Sequence, residues 1–394
     1  MTVAARPATA LEALTPLLDL APRGGAGRTR LGIVSGRSGP RFLVPLDFPE
    51  ASPQACLAYL GLRSRTTQVS RAAVGLALRA RLAPLVAREE LTAATGPGSL
   101  IAHLAELLDD PDEEPGLAVA VGLSRIDEVW KPTLQIFRPD GSPAAFVKIG
   151  LGPVGDRLVA TEAATLATWQ QHPDPRLVVP ELIAETTWEG LRIAVVAPLP
   201  EDSRRLPPGS PSAWAVRTLD GPEQHAPLAD AAWWTGRRAA CAEAVEVDAL
   251  LDRVEQRHGD RDRAWARWHG DWVPWNLARC HRGLVAWDWE YSEPGAPVGL
   301  DEVHGAYQQA HVVEGRTVAA SLEVARQAAH RFVGGPTSGA DHGGGPEASD
   351  ATWLADAHVA MLVTRDAELE RLAGQPPAAR PELLAAARQA VSAS

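Results

Sequence analysis

The chain has 394 residues, 45% of them apolar, with 38 Lys plus Arg against 49 Asp plus Glu and a formal charge of −11. That length suffices for two domains or one large two-lobed one. The acidic balance excludes a general nucleic-acid binder, which needs a basic face to displace counterions, and it disfavours an anionic membrane surface as partner.

Cys56, Cys241 and Cys280 are far apart and show neither CxxC nor Cys/His metal spacing, so reduced thiols and a cytoplasmic location are expected. The first residues are a poor secretory signal, because Glu12 and Pro16 interrupt the apolar run. No stretch approaches the roughly 18 uninterrupted apolar residues of a membrane-spanning helix.

In chain order, 30–46 reads as two short strands about a Gly/Pro turn. Residues 70–90 read as an amphipathic helix kinked or ended by Pro84, with Arg71, Arg79, Arg81 and Arg88 on a solvated face or facing phosphate. The charged, proline-bearing DDPDEEP at 109–115 suggests a boundary. Three strand-like runs follow at 117–123, 132–139 and 144–150, the last two joined by the turn Pro139-Asp140-Gly141-Ser142. A helical run at 158–171 and strand-like runs at 177–184 and 191–197 complete an antiparallel sheet with one helix. After Ser203 the pattern is mostly helical: 227–257, 301–333 and 350–373, with a Gly/Pro/Ser-rich loop at 333–349.

The tripeptide HGD occurs twice, at 258–260 and 269–271. An aspartate that takes a proton from a hydroxyl during phosphoryl transfer sits on a short rigid loop, with metal ligands at fixed offsets after it. The fifth residue after Asp271 is Asn276, in HGDWVPWN, and the strand-like LVAWDW then leads to Asp288. The fifth residue after Asp260 is Trp265, which cannot bind a metal. The second copy is therefore the candidate site, and the first reads as a helix end with a glycine stop. Six tryptophans crowd the region, at 265, 268, 272, 275, 287 and 289. Packing around a polar loop explains most of them, although Trp272 or Trp275 is placed to face an acceptor.

HGDWVPWN followed by VAWDWEYSEPGAPVGLDEV resembles the catalytic loop and metal segment of the aminoglycoside phosphotransferase and choline kinase-like family. The pattern spans 33 residues and is specific in combination. The resemblance implies an α+β, bilobal, protein-kinase-like fold: a small antiparallel-sheet N-lobe over 116–200 and a mostly helical C-lobe over 201–394. Residues 1–115 are then an N-terminal α/β extension of unassigned role.

It also implies roles. Asp271 is the base and His269 fixes the loop. Asn276 and Asp288 bind Mg²⁺, with Glu290 assisting a second metal or contacting substrate, and Asp301 anchors the loop backbone. A kinase-like small lobe needs a strand lysine for the α/β-phosphates and a helix glutamate to hold it, and Lys148 and Glu162 suit in order and context. No GxGxxG lies between the first two strands, which leaves Ser124 and backbone amides as phosphate contacts; Ala197–Pro200 would be the hinge that meets the nucleotide base.

Only 12 residues separate Asp288 from Asp301, too few for a segment that docks a peptide. A small-molecule hydroxyl acceptor is expected, with ATP or GTP as donor and Mg²⁺ as metal. Glu290, Glu293, Asp350, Asp356, Asp366 and Glu368 are candidates for lining a cationic pocket. The rival reading is a non-catalytic relative that binds nucleotide or ligand for regulation.

Overall fold

The computed structural model describes residues 9–22, 24–36, 39–108, 116–206, 223–334 and 348–393. The chain forms two compact units, one of residues 1–170, 179–205 and 279–285, the other of 171–178, 206–278 and 286–394.

The first unit is built on one antiparallel eight-stranded sheet. Its strands are β1 (Arg28–Gly36), β2 (Gly39–Pro45), β3 (Ala87–Ala94), β4 (Ala118–Gly122), β5 (Thr133–Phe137), β6 (Pro143–Ile149), β7 (Leu182–Trp188) and β8 (Leu191–Val196). The order across the sheet is β3-β1-β2-β4-β5-β6-β8-β7. The sheet runs on through the segment where the sequence suggests a domain boundary: β2 pairs with β4, with Phe42 opposite Gly122 and Leu43 opposite Val121. Residues 109–115 themselves lie outside the described residues.

One buried cluster joins Leu14, Leu31, Leu43 and Leu104 from the first 115 residues to Val119, Leu134, Val147 and Ile193 beyond them. On the other face Val34, Val44 and Cys56 pack with Ala118, Ala120 and Phe137. β4 is thus covered on both faces, which is why LAVAVGL shows no polar alternation. The extension is three strands of the same sheet plus the helices that cover it.

Those helices are α1 (Ala10–Leu18), α2 (Ala51–Leu57), α3 (Arg65–Arg79), the short α4 (Ala83–Val86) and α5 (Leu100–Leu108). The single helix expected over 70–90 is corrected. α3 ends at Arg79, Arg81 takes a left-handed φ of 61°, and Ala87–Ala94 becomes a strand. AREELTAA is a weak strand former, and its pairing with β1 overrides propensity. Arg71 faces neither solvent nor phosphate: its Nε and Nη2 donate to the carbonyls of Cys56 (3.2 Å) and Ala55 (2.8 Å), closing the end of α2. Further on, α6 (Gly152–Gln171) starts six residues before the expected run. The strand expected at 177–184 is split: Leu177–Val178 is a two-residue strand outside this sheet, and the sheet strand begins at Leu182, after Pro180. Glu189 and Gly190, with φ of 48° and 80°, make the two-residue turn between β7 and β8.

The second unit is mostly helical, with α7 (Ala232–Ala240), α8 (Val245–His258), α9 (Leu300–Gln308), α10 (Val318–Gly334), α11 (Ala348–Leu372) and α12 (Pro381–Ala393). The helix expected over 301–333 is two helices, parted by a π-helical turn at Gln309–Val313. Strands β9 (Gln224–Pro227), β10 (Asp262–Trp268) and β13 (Glu293–Pro297) form a small antiparallel sheet that the helical pattern concealed. Strands β11 (Leu277–Cys280) and β12 (Gly283–Ala286) form a hairpin whose residues 279–285 belong to the first unit. Trp233, Trp234, Trp265, Trp268 and Trp353 share one core with Leu250, Val303 and Met361. Most of the Gly/Pro/Ser-rich stretch at 333–349 lies outside the described residues. Among the described residues no helix is long and apolar enough to cross a membrane.

The first 115 residues supply both a sheet neighbour for β4 and part of its core. A chain of residues 116–394 should therefore lack a cooperative thermal transition and the near-UV circular dichroism of the full chain. A melting temperature within a few degrees of the parent's would show that the extension is dispensable for folding.

Candidate active site

The second HGD copy follows β10 directly. Asp301, in the first turn of α9, is buried, and its two carboxylate oxygens accept from the backbone N–H of His269 (2.7 Å) and of Gly270 (3.0 Å). Gly270 has φ of 86°, and a Cβ there would lie 2.2 Å from the Tyr291 carbonyl oxygen, so only glycine fits. His269 is fully buried. Its Nδ1 accepts from the Asp271 N–H (3.1 Å), so Nε2 carries the proton and donates to the Trp287 carbonyl (3.1 Å). His269 is therefore a neutral brace for the loop; its ring lies 4.3 Å from that of Trp289.

Asn276 Nδ2 donates to Asp271 Oδ2 (2.8 Å) and to the Asp271 carbonyl (3.1 Å). Both amide protons are thus spent on Asp271, and the amide oxygen is turned to serve as an acceptor. The β11–β12 hairpin explains how residues 12 apart meet. Its base is closed by Trp287 N–H donating to the Asn276 carbonyl (3.2 Å), which returns Asp288 to the end of the strand pair where Asn276 sits. Asp288 holds a left-handed φ of 63°, a strained conformation for a non-glycine residue.

Burial pushes the Asp271 carboxyl up to about 7; the charges of Glu290 and Asp288 add to this, while Arg365 and the Asn276 hydrogen bond oppose it. That coupling gathers Asp271, Asn276, Asp288 and Glu290 into one group. Asn276, Asp288 and Glu290, two carboxylates and an amide, are hard oxygen donors of the kind that fits Mg²⁺. A second grouping, Asp202, Cys280 and His281 in the other unit, has ligand atoms within 4.8 Å of one another. There Asp202 already accepts from the His281 N–H (2.7 Å), and its carboxylate meets the ring Nδ1 at 3.0 Å.

Several residues around Asp271 escape a sequence reading. Arg365 is half-buried, its guanidinium 4.2 Å from the Tyr291 ring and 5.2 Å from that of Trp268, and its Nη2 donates to the Gly270 carbonyl (3.2 Å). His304 and His358 are fully buried behind the loop. All three lie on helices distant in sequence and belong to no short motif. Trp272 is fully buried and cannot face an acceptor, whereas Trp275 is 36% exposed.

The acids proposed for a cationic pocket are mostly committed elsewhere. Glu293 pairs with Arg237 and Asp350 with Arg263; Asp356 pairs with Arg257 and His258, and Asp366 with Arg380. The first HGD copy lies apart from this chemistry. α8 ends at His258, whose Nε2 is 2.9 Å from Asp356, and Asp260 is exposed. Gly259 keeps a helical φ of −59°, so it is not the left-handed stop expected of it.

In the first unit, Lys148 on β6 and Glu162 on α6 form a buried ion pair, Nζ lying 2.6 Å from each carboxylate oxygen. Ser124 is exposed on the β4–β5 connection, and its hydroxyl accepts from the Trp130 indole (2.9 Å). At the expected hinge, the Leu199 carbonyl accepts from the Tyr59 hydroxyl (2.9 Å), whose ring lies 5.8 Å from that of Phe146. Tyr59 ties the extension to this segment, a contact 140 residues long in sequence and invisible to local pattern.

The first unit thus carries a lysine–glutamate pair between strand and helix, and the second a backbone-anchored HGD loop with Asn and Asp, within an α+β fold. No protein-family model matches the chain, and no curated protein does. Among solved structures it is similar to aminoglycoside phosphotransferase APH(4)-Ia (12% identity, 74% of this chain and 97% of that chain, TM-score 0.44). It is also similar to amicoumacin kinase hAmiN (9%, 74% and 91%, 0.39) and to a glucosamine kinase (15%, 73% and 97%, 0.29). Likenesses of this degree assign no substrate or chemistry to the chain.

The anchor predicts a stability effect independent of any activity. Gly270→Ala meets both the positive φ and the Tyr291 carbonyl, and should cost about 2–5 kcal/mol. Asp301→Asn should cost about 1–3 kcal/mol, because its amide group can accept only one of the two backbone N–H groups. Urea unfolding of both variants checks this, and unchanged midpoints would mean that the loop is not held as described.

Proposed function

We propose that the protein transfers the γ-phosphate of ATP or GTP, with Mg²⁺, to a hydroxyl of a small molecule such as an aminoglycoside-like antibiotic, a sugar or an amino alcohol. The observation that carries this reading is the Asp271–Asn276 contact. It fixes one oxygen of the carboxylate, leaving the other for a hydroxyl in this reading, and it spends both amide protons of Asn276, so that the amide oxygen would serve as a hard metal ligand.

In this reading Asp271 orients the acceptor hydroxyl and takes its proton as the O–P bond forms; burial raises its basicity toward that task. Asn276 and Asp288 hold the metal, with Glu290 beside them. Lys148, kept in place by Glu162, binds the α/β-phosphates, and Ser124 with its neighbouring amides covers them. Mg²⁺, when bound, neutralises charge on the phosphate oxygens. The short connection from Asp288 to Asp301 leaves no peptide-docking segment, which favours a small acceptor.

The reading is tested by incubating the purified protein with Mg-ATP and a panel of hydroxylated metabolites and antibiotics while following ADP release. At least one acceptor should be phosphorylated. Asp271→Ala should lower that turnover by about 10²–10⁴ while sparing nucleotide binding, and Asp260→Ala should match the parent. Greater damage from Asp260→Ala would reverse the assignment of the two copies.

Metal binding separates an enzyme from a regulatory binder. The protein alone should bind Mg²⁺ weakly, because Mg²⁺ takes few protein ligands and relies on phosphate co-ligands. Nucleotide and metal should therefore strengthen each other's binding, and Asp288→Asn should remove most of the coupling. Calorimetric ATP titrations of the parent and of Asp288→Asn, with and without Mg²⁺, measure it. Equal affinity in all four would favour the non-catalytic reading.

A further inference from the structure

Behind Asp271, α9 and α11 bury a short chain of polar side chains. His304 Nδ1 lies 3.3 Å from His358 Nε2, and both residues are fully buried. His304 Nε2 lies 3.2 Å from the Gln308 amide nitrogen and 3.8 Å from Asp271 Oδ1. Burial keeps both rings neutral, so each carries one N–H, and a single proton occupies the contact between them.

Two arrangements satisfy that contact. If His304 donates from Nδ1, then His358 must carry its proton on its own Nδ1, which is buried with no hydrogen-bond partner among the described residues. His304 would also turn a bare lone pair toward the Asp271 carboxylate. If His358 donates from Nε2 instead, its Nδ1 is merely an unused acceptor, and His304 directs an Nε2–H at Asp271. An orphaned buried donor is the rarer and costlier state, so the second arrangement holds. Gln308 then offers its amide oxygen to the same N–H, which the near-equivalence of amide oxygen and nitrogen permits.

We propose that His304, fixed in its Nε2–H tautomer by His358, is a positioning residue that orients the Asp271 carboxylate toward the acceptor hydroxyl. The proposal rests on Asp271 being the base. Asn276 holds Oδ2 from one side and His304 addresses Oδ1 from the other, so the carboxylate plane cannot turn freely. The 3.8 Å separation is longer than a hydrogen bond, and such contacts shorten when substrate closes the site. His304 touches neither metal ligand nor solvent, and it acts only through Asp271.

The test uses the two amides that mimic one imidazole nitrogen each. Gln places an N–H near the Nε2 position and Asn near Nδ1. His304→Asn should lower kcat by roughly ten- to a hundredfold, the value of one hydrogen bond to a charged group, and leave both KM values nearly unchanged. His304→Gln should restore most of that loss, with both variants melting at similar temperatures. Equal loss in the two variants, or none in either, overturns the proposal.

A second measurement does not depend on turnover. Nitrogen-15 histidine spectra of the full chain should show His304 and His358 both neutral and protonated on Nε2, and Asp271→Asn should shift the His304 signal. Finding His304 protonated on Nδ1 overturns the proposal whatever the activity. The expected tautomers in a protein that phosphorylates no acceptor would instead refute the kinase reading and leave the His304–Asp271 contact standing.

Discussion

The two backbone N–H groups that donate to the Asp301 carboxylate set the position of the HGD loop in the second unit. A loop that leaves a strand and turns at once through a left-handed glycine has backbone donors with no strand or helix partner. In a buried position each would cost a full desolvation penalty. Asp301 satisfies two at once from the first turn of α9, where the helix dipole also favours a negative charge. With His269 and Gly270 fixed, the Asp271 N–H meets the His269 ring and the carboxylate meets Asn276. Asp301, His269, Gly270, Asp271 and Asn276 are thus links of one hydrogen-bonded sequence that starts from the first turn of α9.

Charge in this protein is buried with partners. Lys148 and Glu162 sit together out of water, an arrangement that stabilises little over an apolar pair but is costly to break from one side. Arg365 lies between two aromatic rings and a carbonyl, where its charge opposes the rise that burial imposes on Asp271. Glu293, Asp350, Asp356 and Asp366 each face an arginine. The net charge of −11 therefore does not describe an acidic surface made of these residues. It overstates the case for a cationic ligand that composition suggests.

The parts legible in sequence were those fixed by local geometry. Asn276 and Asp288 are singled out by their offsets from Asp271 in a motif that resembles a known family's, and the tight loop of the structure holds Asn276 against Asp271. The hairpins of 30–46 and 132–150 carry turn chemistry that admits one reading. What escaped is set by distant partners. AREELTAA is a strand only because β1 offers an edge to it, and the sequence alone made it part of a helix. DRAWARW is a strand because β9 and β13 flank it. Arg71 looks like a surface charge until the open end of α2 is placed beside it. His304, His358 and Arg365 lie outside any spacing rule, since helix packing alone brings them behind the loop.

The extension shows the same dependence at larger scale. Read as a separate domain, the first 115 residues need a function of their own. Joined to the sheet, they already have a physical one. Without β2, the edge of β4 would present unpaired backbone groups along a strand whose two faces are both apolar, the combination that promotes edge-to-edge association. β2 pairs that edge, α2 and α3 with the inner residues of β1 cover one face, and α1 and α5 contribute to the core on the other. The same stretch then sends Tyr59 to the Leu199 carbonyl and brings Gly61 so close to Arg204 and the Ser203 carbonyl that a Cβ would not fit. The segment expected to meet a nucleotide base is therefore held by residues that lie outside the kinase-like pattern. Any change in how that segment is placed must first break contacts made by the extension.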